Sequence, residues 1–228
     1  MKIRIYSGLS LRKEQSHQIL PGADFIGPIK RGDVYKDIQD RVNFILIIDG
    51  QFQQVLAVSP GELMDVLQVG IKVYGSSSMG AMRAAELESY GMVGVGRIFS
   101  EIRDTPYFRD DYLGQAFTPE GAVVHSLPYM DIKIGCEILR KKNELSEGQM
   151  KIILSAYKNL HFSQRNPAAL FEILTKKKNS ALANIALKIP KLIRSTKNQD
   201  ALLLVKRVKN DIEKIRKWNQ KYFRAETI

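Results

Sequence analysis

The sequence predicts an α/β fold, with a parallel-sheet core of the Rossmann or flavodoxin-like type and an all-helical C-terminal segment. Short apolar runs alternate with polar, helix-like stretches through the first 110 residues, as is typical of a doubly wound sheet. Residues 42–48 are nearly all apolar, as expected for a strand buried on both faces of a parallel sheet. Beyond residue 138 the apolar residues recur only at helical spacing, which predicts the helical segment.

The core elements follow one another with short joints. In chain order, the sequence predicts strand 2–6, helix 10–19, strand 23–26, helix 33–40, strand 42–48, helix 60–69, strand 71–74 and helix 79–89. Alternating apolar side chains indicate the first strand, and the first helix has Ser10 as its cap and Pro21-Gly22 as its stop. Asp33 and Pro60 are favoured where a helix begins, and Gly70 is favoured just beyond its end.

Caps and periodicity indicate the C-terminal helices. Ser146 and Gln149 form a capping box, and Asn166-Pro167 marks another helix start. Over residues 199–218 an apolar stripe lies among lysines and arginines; its members are Leu202, Val205, Val208, Ile212 and Ile215.

The charged residues are distributed unevenly along the sequence. Residues 139–228 carry 21 Lys+Arg against 7 Asp+Glu (+14), whereas residues 1–138 carry 14 against 17 (−3). We therefore expect an α/β core domain over residues 1–140 and a basic helical segment over residues 141–228. A basic segment favours an acidic partner, although a merely solvated helical face has the same composition. Few aromatic residues interleave with the cations and the sequence has no recognisable nucleic-acid-binding motif, which disfavours nucleic acid as the partner.

Other features exclude several classes of protein. No apolar run approaches the ~18 residues of a membrane span, and the N-terminus lacks the apolar region of a signal peptide, so we expect a cytoplasmic protein. The single cysteine, Cys136, excludes an internal disulfide and is most simply a buried apolar residue. The histidines lack metal-ligand spacing, and the sequence has neither a dinucleotide fingerprint nor a Walker lysine, so we expect no metal and no cofactor.

Candidate chemistry lies where the predicted strands end, because ligands of open parallel sheets bind beyond the carboxyl ends of the strands. Three segments follow predicted strands there: residues 7–10, 49–52 and 75–80. In the third, Ser76-x-Ser78-x-Gly80 has the layout of a nucleophile elbow, a sharp strand-to-helix turn that exposes a nucleophile beside free helix amides. The alternative is a tight turn whose serines cap the helix.

Charged residues near these segments have two interpretations each. Arg83 and Glu86 lie three apart on one helix and form either a surface ion pair or a fixed charge beside the serine turn. Asp49 ends a buried strand, where a carboxylate is either a cap or an acid–base group. Asp110 and Asp111 are interpreted as solvated loop acids, with metal ligation as the weaker alternative.

Longer stretches resemble the core domain of the TfuA-like family, in consistent order over roughly residues 3–140. They are Lys30–Asp33, Ile47–Phe52, Val73–Leu87 and Gly91–Phe99, followed by Arg103 and by Asp110-Asp111. After the paired acids the family pattern has a histidine-containing segment, and Ala116–Glu120 takes its place here.

The resemblance implies partnership with a YcaO protein, which uses ATP to activate a peptide-backbone amide so that sulfur replaces its oxygen. The resemblance further implies that this chain brings or releases that sulfur, with a thiocarboxylated, ThiS-like sulfur-carrier protein as the expected donor. The known contexts are thioamide-containing ribosomal peptides (RiPP biosynthesis) and the thioglycine of methyl-coenzyme M reductase, so the substrate is a precursor peptide or a protein.

The resemblance also implies a candidate site, to which the serine turn adds further residues. Carried over by motif, the site consists of Asp49, Gly50, Ser78, Met79, Arg83, Glu86, Asp110 and Asp111; the turn adds Ser76, Ser77 and Gly80. In the expected mechanism Ser78 attacks the carrier's thiocarboxylate, Arg83 and helix amides hold the negative charge, and Asp49 or Glu86 orients or deprotonates a partner. The alternative is an adaptor without covalent chemistry, which docks carrier or substrate peptide onto the YcaO protein.

Overall fold

A five-stranded, all-parallel sheet forms the centre of the fold. The computed structural model describes residues 1–51, 55–105, 112 and 127–223. The strands are β1 Ile3–Tyr6, β2 Asp24–Ile26, β3 Phe44–Ile47, β4 Lys72–Gly75 and β5 Val93–Gly94. They lie in the order β2-β1-β3-β4-β5, which is the flavodoxin-like order of the doubly wound fold. The predicted fold class is confirmed.

Ten α-helices occur in the described part of the chain. They are α1 Lys13–His17, α2 Asp33–Gln39, α3 Pro60–Gln68, α4 Met79–Leu87, α5 Arg97–Arg103, α6 Tyr129–Lys141, α7 Glu147–Lys158, α8 Pro167–Lys176, α9 Ser180–Ala186 and α10 Ile189–Phe223. The caps predicted for α7 and α8 are confirmed, because Ser146 accepts a hydrogen bond from the amide of Gln149 (3.2 Å) and Asn166 accepts one from that of Ala169 (2.8 Å). The second helix is different, because its N-cap is Gly32 and Asp33 is its first residue. The sequence pattern does not predict β5 or α5.

The first helix is shorter than predicted, and the reason lies in Ser10. Its amide and its hydroxyl both donate to the carboxylate of Asp49, at 3.0 and 2.7 Å. Ser10 therefore holds the loop after β1 against β3 and does not cap a helix, and α1 begins at Lys13.

The two faces of the sheet are covered by different helices. On one face, Ile5 of β1 and Leu46 of β3 belong to a buried apolar cluster. The cluster also contains five residues of α10, namely Ala201, Leu204, Val205, Val208 and Ile212. On the other face, the guanidinium of Arg4 and the hydroxyl of Tyr6 both donate to the buried Asp37 of α2. The alternation of β1 side chains thus separates an apolar layer under α10 from a polar cluster under α2.

The chain consists of two compact units. The first contains Met1–Asp104 and Lys197–Ile228, and the second contains Thr105–Thr196. The second unit is thus an insertion into the first, and α10 begins in the second unit and ends in the first. The boundary expected at residue 140 stays a prediction based on charge; the compact units divide the chain at other positions.

The second unit has its own apolar core, which includes Cys136, Ile153, Tyr157 and Leu174. Burial raises the pKa of the Cys136 thiol to about 12, which suits a structural cysteine and opposes thiolate chemistry. No helix in the described ranges has both the length and the apolar character needed to cross a membrane.

Candidate functional site

Asp49 joins the loops at the carboxyl edge of the sheet. Its carboxylate accepts four hydrogen bonds, from the Ser7 hydroxyl (3.1 Å), the Gly8 amide (2.8 Å), and the amide and hydroxyl of Ser10. Its backbone carbonyl also accepts from the amide of Ile29 (3.0 Å) in the loop after β2. The sequence left two roles open for Asp49, a cap and an acid–base group. These contacts are those of a cap.

The turn between β4 and α4 is tight because glycines allow close backbone contacts. A Cβ atom at Gly75 would lie 2.1 Å from the carbonyl oxygen of Gly80, and one at Gly80 would lie 1.8 Å from that of Ile47. Neither position accepts a side chain, which gives a steric cause for Gly80 of the predicted elbow and for Gly75 just before it. Between them, Ser77 has a left-handed backbone with φ of 66°, which costs about 1–2 kcal/mol for a residue with a Cβ.

The three serines of this turn have different surroundings. Ser77 is fully buried, and its hydroxyl donates to the carbonyl of Lys197 (2.8 Å). Ser76 is also fully buried and lies 3.3 Å from the Ser77 oxygen. Because the Ser77 proton is directed to Lys197, Ser76 is the donor in that contact. Ser78 is half-buried, does not cap α4, and makes no side-chain hydrogen bond within the described residues.

The amides at the start of α4 are mostly occupied. Those of Ser78 and Gly80 both donate to the carbonyl of Ile48, at 3.3 Å each. The amide of Ala81 donates to the carbonyls of Ser76 and Ser78. Among described residues, the Met79 amide has no hydrogen-bond acceptor. An anion at this turn would therefore have few free helix amides, fewer than the elbow pattern suggests.

Gly50 and Met79 contact each other across the edge. A Cβ at Gly50 would lie 2.5 Å from Cγ of Met79, so only glycine allows this approach. Gly50 also forms a parallel bridge with Ile29, and Met79 is buried. These two predicted binding residues hold the loop after β3 against the start of α4.

Arg83 and Glu86 form the predicted pair. Arg83 Nη1 donates to both carboxylate oxygens of Glu86, at 2.9 and 2.6 Å. Arg83 Nε donates to the carbonyl of Val58 (2.8 Å), which precedes α3. The guanidinium thus connects α4 to the segment before α3, and its side chain is only 11% exposed.

Glu62 is a carboxylate at this edge that the sequence analysis did not single out. It accepts hydrogen bonds from the amide and hydroxyl of Ser59 (2.8 Å each) and from the amide of Gly32 (2.6 Å). Burial by itself would raise the pKa of Glu62, but the hydrogen bonds from Ser59 and Gly32, together with the charge of Arg31, outweigh it and hold this pKa below its ordinary value. Ser59-x-x-Glu62 is a capping box, so its local signal was present in the sequence.

One turn of α10 reaches the same edge, and sequence patterns did not indicate it. Asn198 Nδ2 donates to the carbonyl of Ser10 (2.9 Å). The carboxylate of Asp200 accepts from the amides of Arg97 (2.9 Å) and Ile98 (2.8 Å), where α5 begins. Burial raises the pKa of Asp200, although these two amides act in the opposite direction.

Two predicted site residues, Asp110 and Asp111, lie outside the described residues. Arg103, which belongs to the same stretch of the resemblance, pairs with its neighbour Asp104 (2.9 Å) and lies over the ring of Phe99.

An open cavity of about 270 Å³ is lined by Phe44, Ile71 and Ile215, among others. It lies where β3 and β4 begin, at the edge opposite the serine turn.

Together, the fold and this edge define a flavodoxin-like α/β protein with a half-exposed serine in a strand-to-helix turn. A family model described as TfuA-like protein matches residues 49–166, which is more than half of the chain. The chain therefore belongs to the TfuA-like family, as the resemblance of its motifs predicts. A search of curated proteins gave no match. Membership of this family is consistent with a role beside a YcaO protein.

Proposed function

We propose that this protein is the partner of a YcaO protein in peptide-backbone thioamide formation, and that it releases sulfide from a thiocarboxylated sulfur-carrier protein. The observation that carries the proposal is the Ser78 hydroxyl, which is half-buried at the carboxyl edge of the sheet and makes no hydrogen bond within the described residues. Neighbouring serines use their hydroxyls to hold the turn, so Ser78 is the one available to a substrate. ATP is used by the YcaO partner, and this chain needs no cofactor for the step.

The proposed step balances without an oxidant or reductant. Ser78 Oγ attacks the carbonyl carbon of the carrier thiocarboxylate, the C–O bond forms, and the C–S bond breaks. The hydroxyl proton passes to the departing sulfur, which leaves as HS⁻. Water then hydrolyses the acyl ester, giving the carrier carboxylate and a proton and restoring Ser78. The Met79 amide is the nearest helix donor for the negative charge on oxygen, and one such donor contributes ~3–4 kcal/mol in other enzymes.

The role of Ser78 is tested by Ser78→Ala, with Ser89→Ala, an exposed serine of the same unit, as the control. We expect carrier-dependent sulfide release to fall by orders of magnitude, because the nucleophile is lost. Stability should change by less than the ~1 kcal/mol of a helix cap, since Ser78 makes no capping bond. Near-normal release by folded Ser78→Ala protein would eliminate the nucleophile role.

The rival is an adaptor that docks carrier or substrate peptide onto the YcaO protein. It is favoured by the absence, among described residues, of a carboxylate or imidazole bonded to Ser78. Asp49 is occupied by its four donors and Glu86 by Arg83.

Added sulfide distinguishes the two functions. A YcaO partner given abundant inorganic sulfide should need little of a protein that supplies sulfur, so we expect thioamide formation to become independent of this chain. An adaptor stays necessary at every sulfide concentration. Unchanged dependence at saturating sulfide would favour the adaptor.

A further inference from the structure

One turn of α10, residues 197–200, contacts three loops of the carboxyl edge. Its first carbonyl, that of Lys197, accepts from Ser77 in the β4–α4 turn (2.8 Å). Asn198 donates to the carbonyl of Ser10 in the loop after β1 (2.9 Å). Asp200 accepts from the two amides that begin α5, after β5. A single helical turn thus holds the loops that follow β1, β4 and β5.

The Ser77 contact matters most for the candidate nucleophile. Ser77 has a left-handed backbone, and such a conformation persists in a residue with a Cβ only where its surroundings hold it. The bond from the buried Ser77 hydroxyl to Lys197 is the contact that ties it to another element. Because Ser78 is the next residue, the direction of its backbone depends on the same bond.

The β1 loop is held in a similar way. Asn198 exchanges hydrogen bonds with Gln15 of α1 (3.1 and 3.2 Å) besides its bond to Ser10. Ser10 in turn donates to Asp49. Asn198 is thereby connected through one residue to the carboxylate at the centre of the edge.

We propose that residues 197–200 of α10 are a positioning element of the candidate site, in which Ser77 and Asn198 are positioning residues. The family match ends at residue 166, so it assigns no role to this turn. The catalytic role of the positioned serine rests on the proposed function. The claim that α10 holds the turn does not depend on that function. Two measurements on the full chain keep these parts separate.

The first measurement is hydrogen exchange of single amides. Ser77→Ala keeps the left-handed strain and loses the bond to Lys197, whereas Ser77→Gly loses the bond and relieves the strain. We expect the amides of Ser78 and Gly80 to exchange at least about tenfold faster in both variants, with β3 amides unchanged. The control is Thr196→Val, which removes a buried hydroxyl bonded to the carbonyl of Leu192 within α10 (3.1 Å).

Wild-type exchange in Ser77→Ala would overturn the proposal, because that variant keeps the left-handed strain and removes only the bond to Lys197. Should both Ser77 variants fail to fold, Asn198→Ala tests the same idea at the β1 loop. The proposal then requires faster exchange of the Gly8 and Ser10 amides, and unchanged exchange there overturns it.

The second measurement is sulfide release from thiocarboxylated carrier. For Ser77→Gly we expect kcat to fall about tenfold or more with KM within about twofold, and no change for Thr196→Val. Faster exchange with unchanged kcat would overturn the positioning role. If the wild-type protein releases no sulfide, the proposed function fails, and the exchange result alone decides whether α10 holds the turn.

Discussion

At the scale of single residues, two carboxylates hold the loops of the candidate edge. Asp49 gathers donors from residues 7–10, and Glu62 gathers them from Ser59 and Gly32. In both cases the carboxylate accepts hydrogen bonds from backbone amides that have no acceptor within a strand or a helix. Removing one of these side chains leaves amides without acceptors, and a buried unpaired donor costs ~1–3 kcal/mol.

Glu62→Gln should show this cost and its pH dependence. At neutral pH we expect the free energy of unfolding to fall by about 1–2 kcal/mol, because a neutral amide accepts fewer of the three hydrogen bonds. The folded-state pKa of Glu62 is lowered, so its contribution is present above the ordinary value of about 4.3 and is lost as pH falls through the folded pKa.

Denaturant unfolding at a series of pH values tests this prediction. The difference between wild-type protein and Glu62→Gln should shrink below about pH 4. Glu14→Gln, at an exposed position of α1, should stay within about 0.5 kcal/mol of wild type. A difference that is constant across pH would contradict the assignment of the stabilisation to the carboxylate charge.

Sequence reasoning located this edge because its signals are local. The apolar strand before Asp49 and the small residues of the serine turn lie within a few residues of the structure that they determine. The capping box at Glu62 is equally local, but it was not singled out. Sequence reasoning singled out Ser78 as the nucleophile and did not predict the structural role of Ser77. The left-handed backbone falls on Ser77, and the carbonyl that accepts its hydroxyl lies 120 residues away.

At the scale of elements, α5 shows why a helix can lack a sequence signal. The residue before it is Gly96, which has no side chain to cap the helix and has φ of 104°. The cap is supplied by Asp200, which lies about a hundred residues further on. The preceding strand, Val93–Gly94, is only two residues long. Neither element has a local pattern long enough to predict, whereas the predicted helices α3, α7 and α8 each have their own cap.

Asp200→Ala tests this remote cap. The variant leaves the amides of Arg97 and Ile98 without their acceptor, so we expect the free energy of unfolding to fall by about 1–3 kcal/mol. The pKa of Asp200 is raised, so its contribution is present below the ordinary value of about 3.9 and is lost as pH rises through the folded pKa. The cost of Asp200→Ala should therefore be largest at acidic pH.

The control for Asp200→Ala is Glu213→Ala, which removes an exposed carboxylate from the same helix. Denaturant unfolding between about pH 3.5 and 8 provides the comparison. An effect of Asp200→Ala no larger than that of Glu213→Ala would contradict the capping role. An effect that grows as pH rises would contradict the direction of its pKa.

At the scale of the whole molecule, the basic half of the sequence is shared between the two units. Residues 1–104 with 197–228 carry 21 Lys+Arg against 16 Asp+Glu, and residues 105–196 carry 14 against 8. The net charges are +5 and +6, so the contrast of +14 and −3 along the sequence does not persist between the units. The insertion explains this, because it returns the basic α10 to the unit that contains the sheet.

The same arrangement rules out truncation as a test of the basic residues. A chain ending near Lys142 would lose the α10 residues that cover one face of the sheet, among them Leu204, Val205 and Val208, which are fully buried. Burying each such side chain stabilises by roughly 1.5–3 kcal/mol, and a domain is stable by only about 5–15 kcal/mol in all. Lost binding would then report an unfolded core, so single charges must be changed instead.

Charge removal on α10 tests whether its exposed face docks an acidic protein, either the carrier or the YcaO partner. Lys206 and Lys209 are exposed on this helix, and Lys206→Gln with Lys209→Gln keeps the helix propensity while removing two charges. We expect the association rate with the acidic partner to fall several-fold at low salt, with a smaller difference as salt shortens the Debye length below ~10 Å.

The matched control for this pair is Lys176→Gln with Lys177→Gln, which removes the same charge from the second unit. Rates are measured for the YcaO partner, for the carrier and for a random DNA duplex across a salt series. A weaker response of the control pair would place the docking face on α10, because equal losses of net charge alter long-range attraction alike and only contact with the partner distinguishes them. Equal effects of both pairs would indicate general attraction to a basic protein, and tight, salt-sensitive binding to the duplex alone would contradict docking of an acidic protein.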